Sequence, residues 1–143
     1  GWQVSCRACQ RHESETLKMA TNLRARFTDT MVSTASKDRL LTMCYDRVVR
    51  DLSEARVAID AGRTSDAHHL LVHAQELIFE LDRAVDVSVW PDGVGLKRLY
   101  EYVQHRLMEA NVGKKHQPIL DCLLVLEPLR DAWHSAYRAG AVL

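Results

Sequence analysis

Helix breakers are scarce in this chain. It has three prolines and six glycines in 143 residues. Gly1 and Gly140 stand near the ends and the other breakers mostly separate periodic segments, which points to a helical protein with few turns. Net charge is missing as well. Nineteen basic residues balance nineteen acidic ones, so no overall field draws the protein to nucleic acid or to an anionic membrane surface, and a partner has to be held by apolar contact. No apolar run approaches the roughly 20 residues that cross a bilayer. The longest is Cys122 to Leu126, and no secretory signal with an apolar centre opens the chain. Membrane insertion is not expected, and a cytoplasmic location follows by default. Cys6 and Cys9 precede the regular part of the chain, while Cys44 and Cys122 sit inside helical patterns, where a thiol acts as a small apolar group; no disulfide framework emerges. A G-x-S-x-G elbow, a phosphate-binding glycine loop and a nucleotide fingerprint are also lacking. Neither an enzyme nor a cofactor is expected.

What the sequence does contain is helical periodicity. Leu41, Tyr45, Val48, Leu52, Ala55 and Ile59 recur at spacings of four and three, which lays one apolar seam along a helix from Thr34 to the turn at Gly62. Thr34 or Ser36 can cap its first turn, Asp38 suits the positive end of the helix dipole, and Gly62 fits the left-handed residue after the last turn. A second seam follows through Ala67, Leu70, Ala74, Leu77, Leu81 and Ala84, with Ser65 as its cap. The stretch DVSVWPDGVG, residues 86–95, breaks the pattern. Leu96, Leu99, Val103, Leu107 and Ala110 form a third seam. The fourth begins near Pro118 and runs through Ile119, Cys122, Leu126, Leu129, Trp133 and Tyr137, with a kink expected at Pro128. Four seams, short connections and no strand signal predict one all-α domain, an antiparallel up-and-down four-helix bundle over residues 34–139.

Apolar residues off the seams carry the functional reading. Val72 and Phe79 lie seven apart and about half a turn from the core stripe of the second helix. Leu120 and Leu124 on the fourth helix, and Met43 and Val57 on the first, are displaced in the same way. Such clusters mark a partner site. The residues expected to contact a partner are Met43, Val72, Phe79, Leu120 and Leu124, with Tyr102 and Arg106 as polar contacts at the rim.

Two clusters offer themselves for metal. His69, His73, Glu76 and Glu80 share one flank of the second helix, a donor set a transition metal accepts. No Glu-x-x-His pair of the di-iron bundle kind occurs, and the stripe reads as a solvated face. Residues 1–18 show no seam and read as a tail or appended leader, with Met19 as a natural initiator. In that tail Cys6, Cys9 and His12 form a C-x-x-C-x-x-H half-site without a fourth ligand. Residues 19–33 carry Leu23, Phe27, Met31 and Val32, spaced to lay apolar groups on the body, so partial order is expected there.

Three separated motifs bear a family likeness. TASKDRLLTMCYDRVV, later LKRLYEYVQHRLMEAN, and then LEPLRDAW resemble the flagellin export chaperone family, FliS. The matching positions are Thr34, Ala35, Ser36, Tyr45 and Asp46; then Leu96, Leu99, Tyr100, Tyr102, Arg106, Leu107, Ala110 and Asn111; then Leu129, Arg130, Ala132 and Trp133. Lys37 stands where the family has Pro, Arg47 where it has Gly, and Phe27 where it often has Tyr. The resemblance implies a non-enzymatic cytoplasmic chaperone that binds the disordered C-terminal segment of flagellin, prevents premature polymerisation and hands it to the flagellar export apparatus. It also implies that the N-terminal segment, here Phe27, Met31 and Val32, covers part of the groove until the client displaces it. A metal-binding bundle and an adaptor for another secreted client are the alternatives. The sequence leaves a monomer and a homodimer equally open.

Overall fold

Helix α1, Thr34–Asp60, is the rod on which the fold is assembled. The computed structural model describes residues 34–140, and side chains from Asp38 onward. The 1–18 tail with its Cys6, Cys9 and His12, and the segment bearing Phe27, Met31 and Val32, lie outside the described residues. Tyr45, Val48, Leu52 and Ala55 of the α1 seam are fully buried. Each Leu or Val removed from water in this way contributes about 1.5–3 kcal/mol. The helix stops at Gly62, whose φ of 73° is open only to a residue without a Cβ at low cost. There the amide of Gly62 reaches the Ile59 carbonyl at 3.1 Å and that of Arg63 the Ala58 carbonyl at 2.8 Å, a Schellman closure.

Three more helices follow: α2, Thr64–Ala84; α3, Gly93–Gly113; and α4, His116–Arg138. They form a ring in which α1 packs on α2 and α4, and α3 on the same two neighbours. The sequence placed the start of α3 at Leu96, yet it begins at Gly93. A Cβ there would come within 2.6 Å of Val85 Cγ1, so this glycine is dictated by close packing of the helix start against the preceding loop. Across the middle of the ring the hydroxyls of Tyr45 and Tyr100 share a hydrogen bond at 2.5 Å, and the two rings fill the centre. Burial raises the pKa of both phenols.

The seams hold with a rotation. On α2 the buried apolar residues are Ala67, Leu71, Ala74, Leu77, Ile78 and Leu81, while Leu70 is half-buried and Ala84 exposed. On α3 Tyr100 points inward and Leu99 reaches solvent. At the end of α4 Tyr137 is likewise exposed. Helix α4 continues unbroken through Pro128.

Candidate functional site

Large apolar side chains left in solvent are unevenly shared among the helices. Eleven are exposed among the described residues, and five of them, Val94, Leu99, Tyr102, Met108 and Val112, belong to α3. Phe79 on α2 and Leu124 on α4 flank that helix, at 52% and 75% exposure. The outer side of α3 with its two neighbours is therefore the apolar surface of the molecule, far more than one scattered residue requires.

Its first half is the groove between α2 and α3. The register is fixed by Gln104, whose amide donates to the Gln75 carbonyl at 2.7 Å, and by Lys97, which donates to the Asp82 carbonyl at 2.7 Å. Between these ties a cleft of about 230 Å³ opens, lined by Phe79, Asp82, Tyr100, Glu101, Gln104, His105 and Met108. The Arg83 guanidinium lies over the Phe79 ring at 5.6 Å, and the Phe79 side chain remains half exposed. Val72, one heptad before Phe79, lies on the same stripe but is half-buried, because that part of α2 is overlain by its own neighbours, and it is not the open contact the sequence suggested. Met108 is a residue the sequence reading passed over. Its position directly after the seam residue Leu107 puts it off the core stripe, and counting α3 as α2 was counted would have found it.

The second half lies between α3 and α4. Here Arg106 is clamped by Asp121 across the groove and by Glu109 on its own helix. The guanidinium holds the Asp121 carboxyl below the usual carboxylate range, and Asp121 in turn raises the Arg106 pKa. Arg106 is a strut between helices, with its charge already matched, and differs from the free rim contact expected of it. That strut sets Leu124 level with Tyr102, one turn along each antiparallel helix. Leu120 departs from expectation: it is half-buried and stands one turn after His116, whose Nε2 meets Asp60 of α1 at 2.7 Å. Leu124, one turn further on the same side of α4, is exposed where Leu120 is not. Met43 is exposed but sits on the outward side of α1 with Val57, on another face of the bundle. Thus Phe79 borders the α2–α3 cleft, Tyr102 and Arg106 stand on α3, Leu124 is exposed on the neighbouring α4 with Leu120 half-buried beside it, Val72 is partly covered, and Met43 lies on another face.

The histidine stripe is the clearest correction. His73 and Glu80 are buried, because the flank that carries them faces α1. His73 Nδ1 bonds Asp51 Oδ2, and Asp51 is itself fully buried. What the sequence presented as a solvated face is the polar part of the α1–α2 interface. Among the described residues no three His, Cys, Asp or Glu side chains are placed to hold a metal ion. The Cys44 thiol, with its Sγ near the Leu77 carbonyl, is pushed up to about 12 by burial and then by the nearby charges of Glu80 and Asp51. Burial drives the Cys122 thiol up to about 12 as well. Neither is available as a thiolate near neutral pH.

The comparison with known families is decisive at this point. The family model described as "Flagellar protein FliS" matches residues 19–140. The chain belongs to the FliS family. A curated relative, the "Flagellar secretion chaperone FliS" of Bacillus subtilis (strain 168), is 25% identical over 112 residues, spanning 76% of this chain and 80% of the relative. FliS membership makes the protein a flagellar secretion chaperone. The FliS-like motif positions found in the sequence divide between the interior and the surface, with Leu99, Tyr102, Asp46 and Ala132 exposed. Tyr45, Tyr100, Leu107 and Ala110 are buried, Trp133 stacks 6.4 Å from Tyr45, and Asn111 joins His68 of α2 to the end of α3. No helix among the described residues is long and apolar enough to cross a membrane.

Proposed function

We propose that this protein is a cytoplasmic export chaperone that binds the disordered C-terminal segment of flagellin, keeps it from polymerising early, and delivers it to the flagellar export apparatus. The client becomes helical on contact and lays amphipathic turns along the two sides of α3. One observation carries this reading: a helix of a four-helix bundle that shows five large apolar side chains to solvent, with Phe79 and Leu124 beside them. A bundle serving only its own stability has no use for such a strip, whereas a client helix needs one. The FliS kinship supports the same client class. The N-terminal segment with Phe27, Met31 and Val32 covers part of this strip until the client displaces it, so removal of residues 1–33 tightens binding.

The test is titration with a flagellin C-terminal peptide, followed by calorimetry and by the gain of helical circular dichroism. Phe79→Asp places a charge in the α2–α3 cleft and is expected to weaken binding at least tenfold, about 1.4 kcal/mol, while the melting temperature stays within a few degrees. Met43→Asp, on the other face, leaves binding as it was. Equal losses from both variants, or from neither, would remove α3 as the client surface.

A further inference from the structure

Pro128 changes the chemistry of α4 without ending the helix. The helix runs from His116 to Arg138 through this residue. Proline has no amide hydrogen, so the carbonyl of Leu124, four residues back, lacks the donor that a helical carbonyl in its position normally has. In a buried turn an orphaned acceptor would be a defect. Here both residues face solvent, Leu124 at 75% exposure. One point on α4 therefore offers a large apolar side chain and an unclaimed backbone acceptor together.

The surroundings select the donor. Glu127, one position before the proline, is exposed and makes no ion pair among the described residues. Asp131 stands one turn further and is matched only by its neighbour Arg130, at 3.1 Å. Asp121, one turn back, is already held by Arg106. A neutral donor would satisfy the carbonyl alone, whereas a cation satisfies the carbonyl and the Glu127 carboxylate at once, with the greater strength of charge-assisted hydrogen bonds. We propose that the Leu124 carbonyl, opened by Pro128, and the Glu127 carboxylate form an acceptor pair for a lysine or arginine side chain of the client, beside the spot where Leu124 grips an apolar residue of the same client helix. The inference rests on the reading of the α3 strip, with its α4 flank, as the client surface.

The experiment uses the full chain and a flagellin C-terminal peptide. Pro128→Ala supplies the missing amide and returns the carbonyl to its own helix. The expected result is a higher melting temperature combined with binding weakened roughly tenfold, the worth of one hydrogen bond to a charged group. Peptides in which each Lys and Arg is replaced in turn by Met then locate the donor. One replacement weakens binding to the natural chain by about tenfold and has no further effect on Pro128→Ala or on Glu127→Gln, the signature of a coupled pair. Unchanged binding by Pro128→Ala, or losses that simply add, overturn the acceptor pair. Leu124→Asp keeps the two readings apart. If it abolishes binding while Pro128→Ala does not, the surface stands and the acceptor pair falls. If neither variant alters binding, the surface reading is wrong and the acceptor pair falls with it.

Discussion

Replacing His73 with leucine is expected to destabilise the bundle by about 3 kcal/mol, a large fraction of a domain's typical stability. Asp51 has no exposed surface, and the hydrogen bond its side chain makes is to His73 Nδ1. Arg47 comes within 3.2 Å of the other carboxylate oxygen, though outside hydrogen-bonding geometry, and is partly in water. Without the imidazole, the carboxylate stays in the α1–α2 interface with only that loose cation for company. Removing one partner of a buried pair costs about 3–5 kcal/mol, and Arg47 keeps the loss near the lower bound. At roughly 3–5 °C per kcal/mol for a domain of this size, the melting temperature should fall by about 10–15 °C. The double replacement, Asp51→Leu with His73→Leu, removes the buried charge as well as its partner. It should return to within about 1 kcal/mol of the natural chain, since an apolar pair of similar volume replaces a buried ion pair at little net cost. Urea unfolding followed by helical circular dichroism gives the four corners of the cycle, and the coupling between the sites should be at least about 2 kcal/mol, larger by whatever Asp51→Leu costs alone. A His73→Leu variant within about 0.5 kcal/mol of the natural chain, the usual scatter of surface substitutions, would show that Asp51 does not depend on the imidazole. So would a double variant that loses the sum of the two singles. Peptide affinity should be the same in every folded variant, because the pair lies between α1 and α2 and away from the α3 strip.

Gly93→Ala should destabilise by about 1–3 kcal/mol despite the better helix propensity of alanine, because the added Cβ meets Val85 Cγ1 at 2.6 Å; thermal unfolding of Gly93→Ala alone and with Val85→Ala checks it, the second change relieving the first. The Arg106–Asp121 strut predicts a pH dependence with a definite sign. Arg106 lowers the Asp121 pKa in the folded state, so its stabilisation is present above the ordinary carboxylate range and fades as pH falls through the lowered value. Asp121→Asn should thus be less stable than the natural chain at neutral pH, and the gap should narrow as the pH falls below the roughly 3.9 of a free aspartate; a gap of the same size at neutral pH and at about pH 2 would show that the strut is not ionic.

How much of this could be read from the sequence depends on how many helices a feature involves. The four seams are properties of single helices, and so the number, order and direction of the helices were legible. Burial of His73 and Glu80 is not such a property. A polar side chain goes inside when a partner on another helix meets it, and Asp51, 22 positions earlier, carries no periodic mark linking it to His73. The same limit explains Arg106, which looked like a rim residue until Asp121 was found opposite. Leu99 and Tyr100 show a smaller error. Both are apolar enough to continue the α3 seam, and the choice between them was made by the Tyr45 hydroxyl across the bundle. Of the candidate site, Phe79 and Leu124 were legible because half a turn from the seam is far enough to reach solvent. Val72 and Leu120, on the same stripes as Phe79 and Leu124, were not, since the same helix face is half-buried at one turn and exposed at another. Family likeness did not separate groove from core, because its matched positions include both, Leu99 and Tyr102 in solvent and Tyr100 and Leu107 inside.

Two kinds of adhesion are separated in this bundle. Helix α1 is tied to both neighbours by polar pairs, Asp51 to His73 on α2, and Asp46 and Asp60 to His134 and His116 on α4, the last two each at 2.7 Å. Directional contacts of this kind fix register. Helix α3 spends its inward face on Tyr100, Val103, Leu107 and Ala110 and turns a second apolar set outward. If α1 were held by apolar surplus alone, a client rich in apolar residues would compete for the same contacts and loosen the bundle. The polar ties of α1 lie away from the exposed apolar strip on α3, so a client can cover that strip without reaching them. Its binding then removes apolar surface from water on the helix with the most to hide, so occupancy stabilises the folded chaperone by mass action.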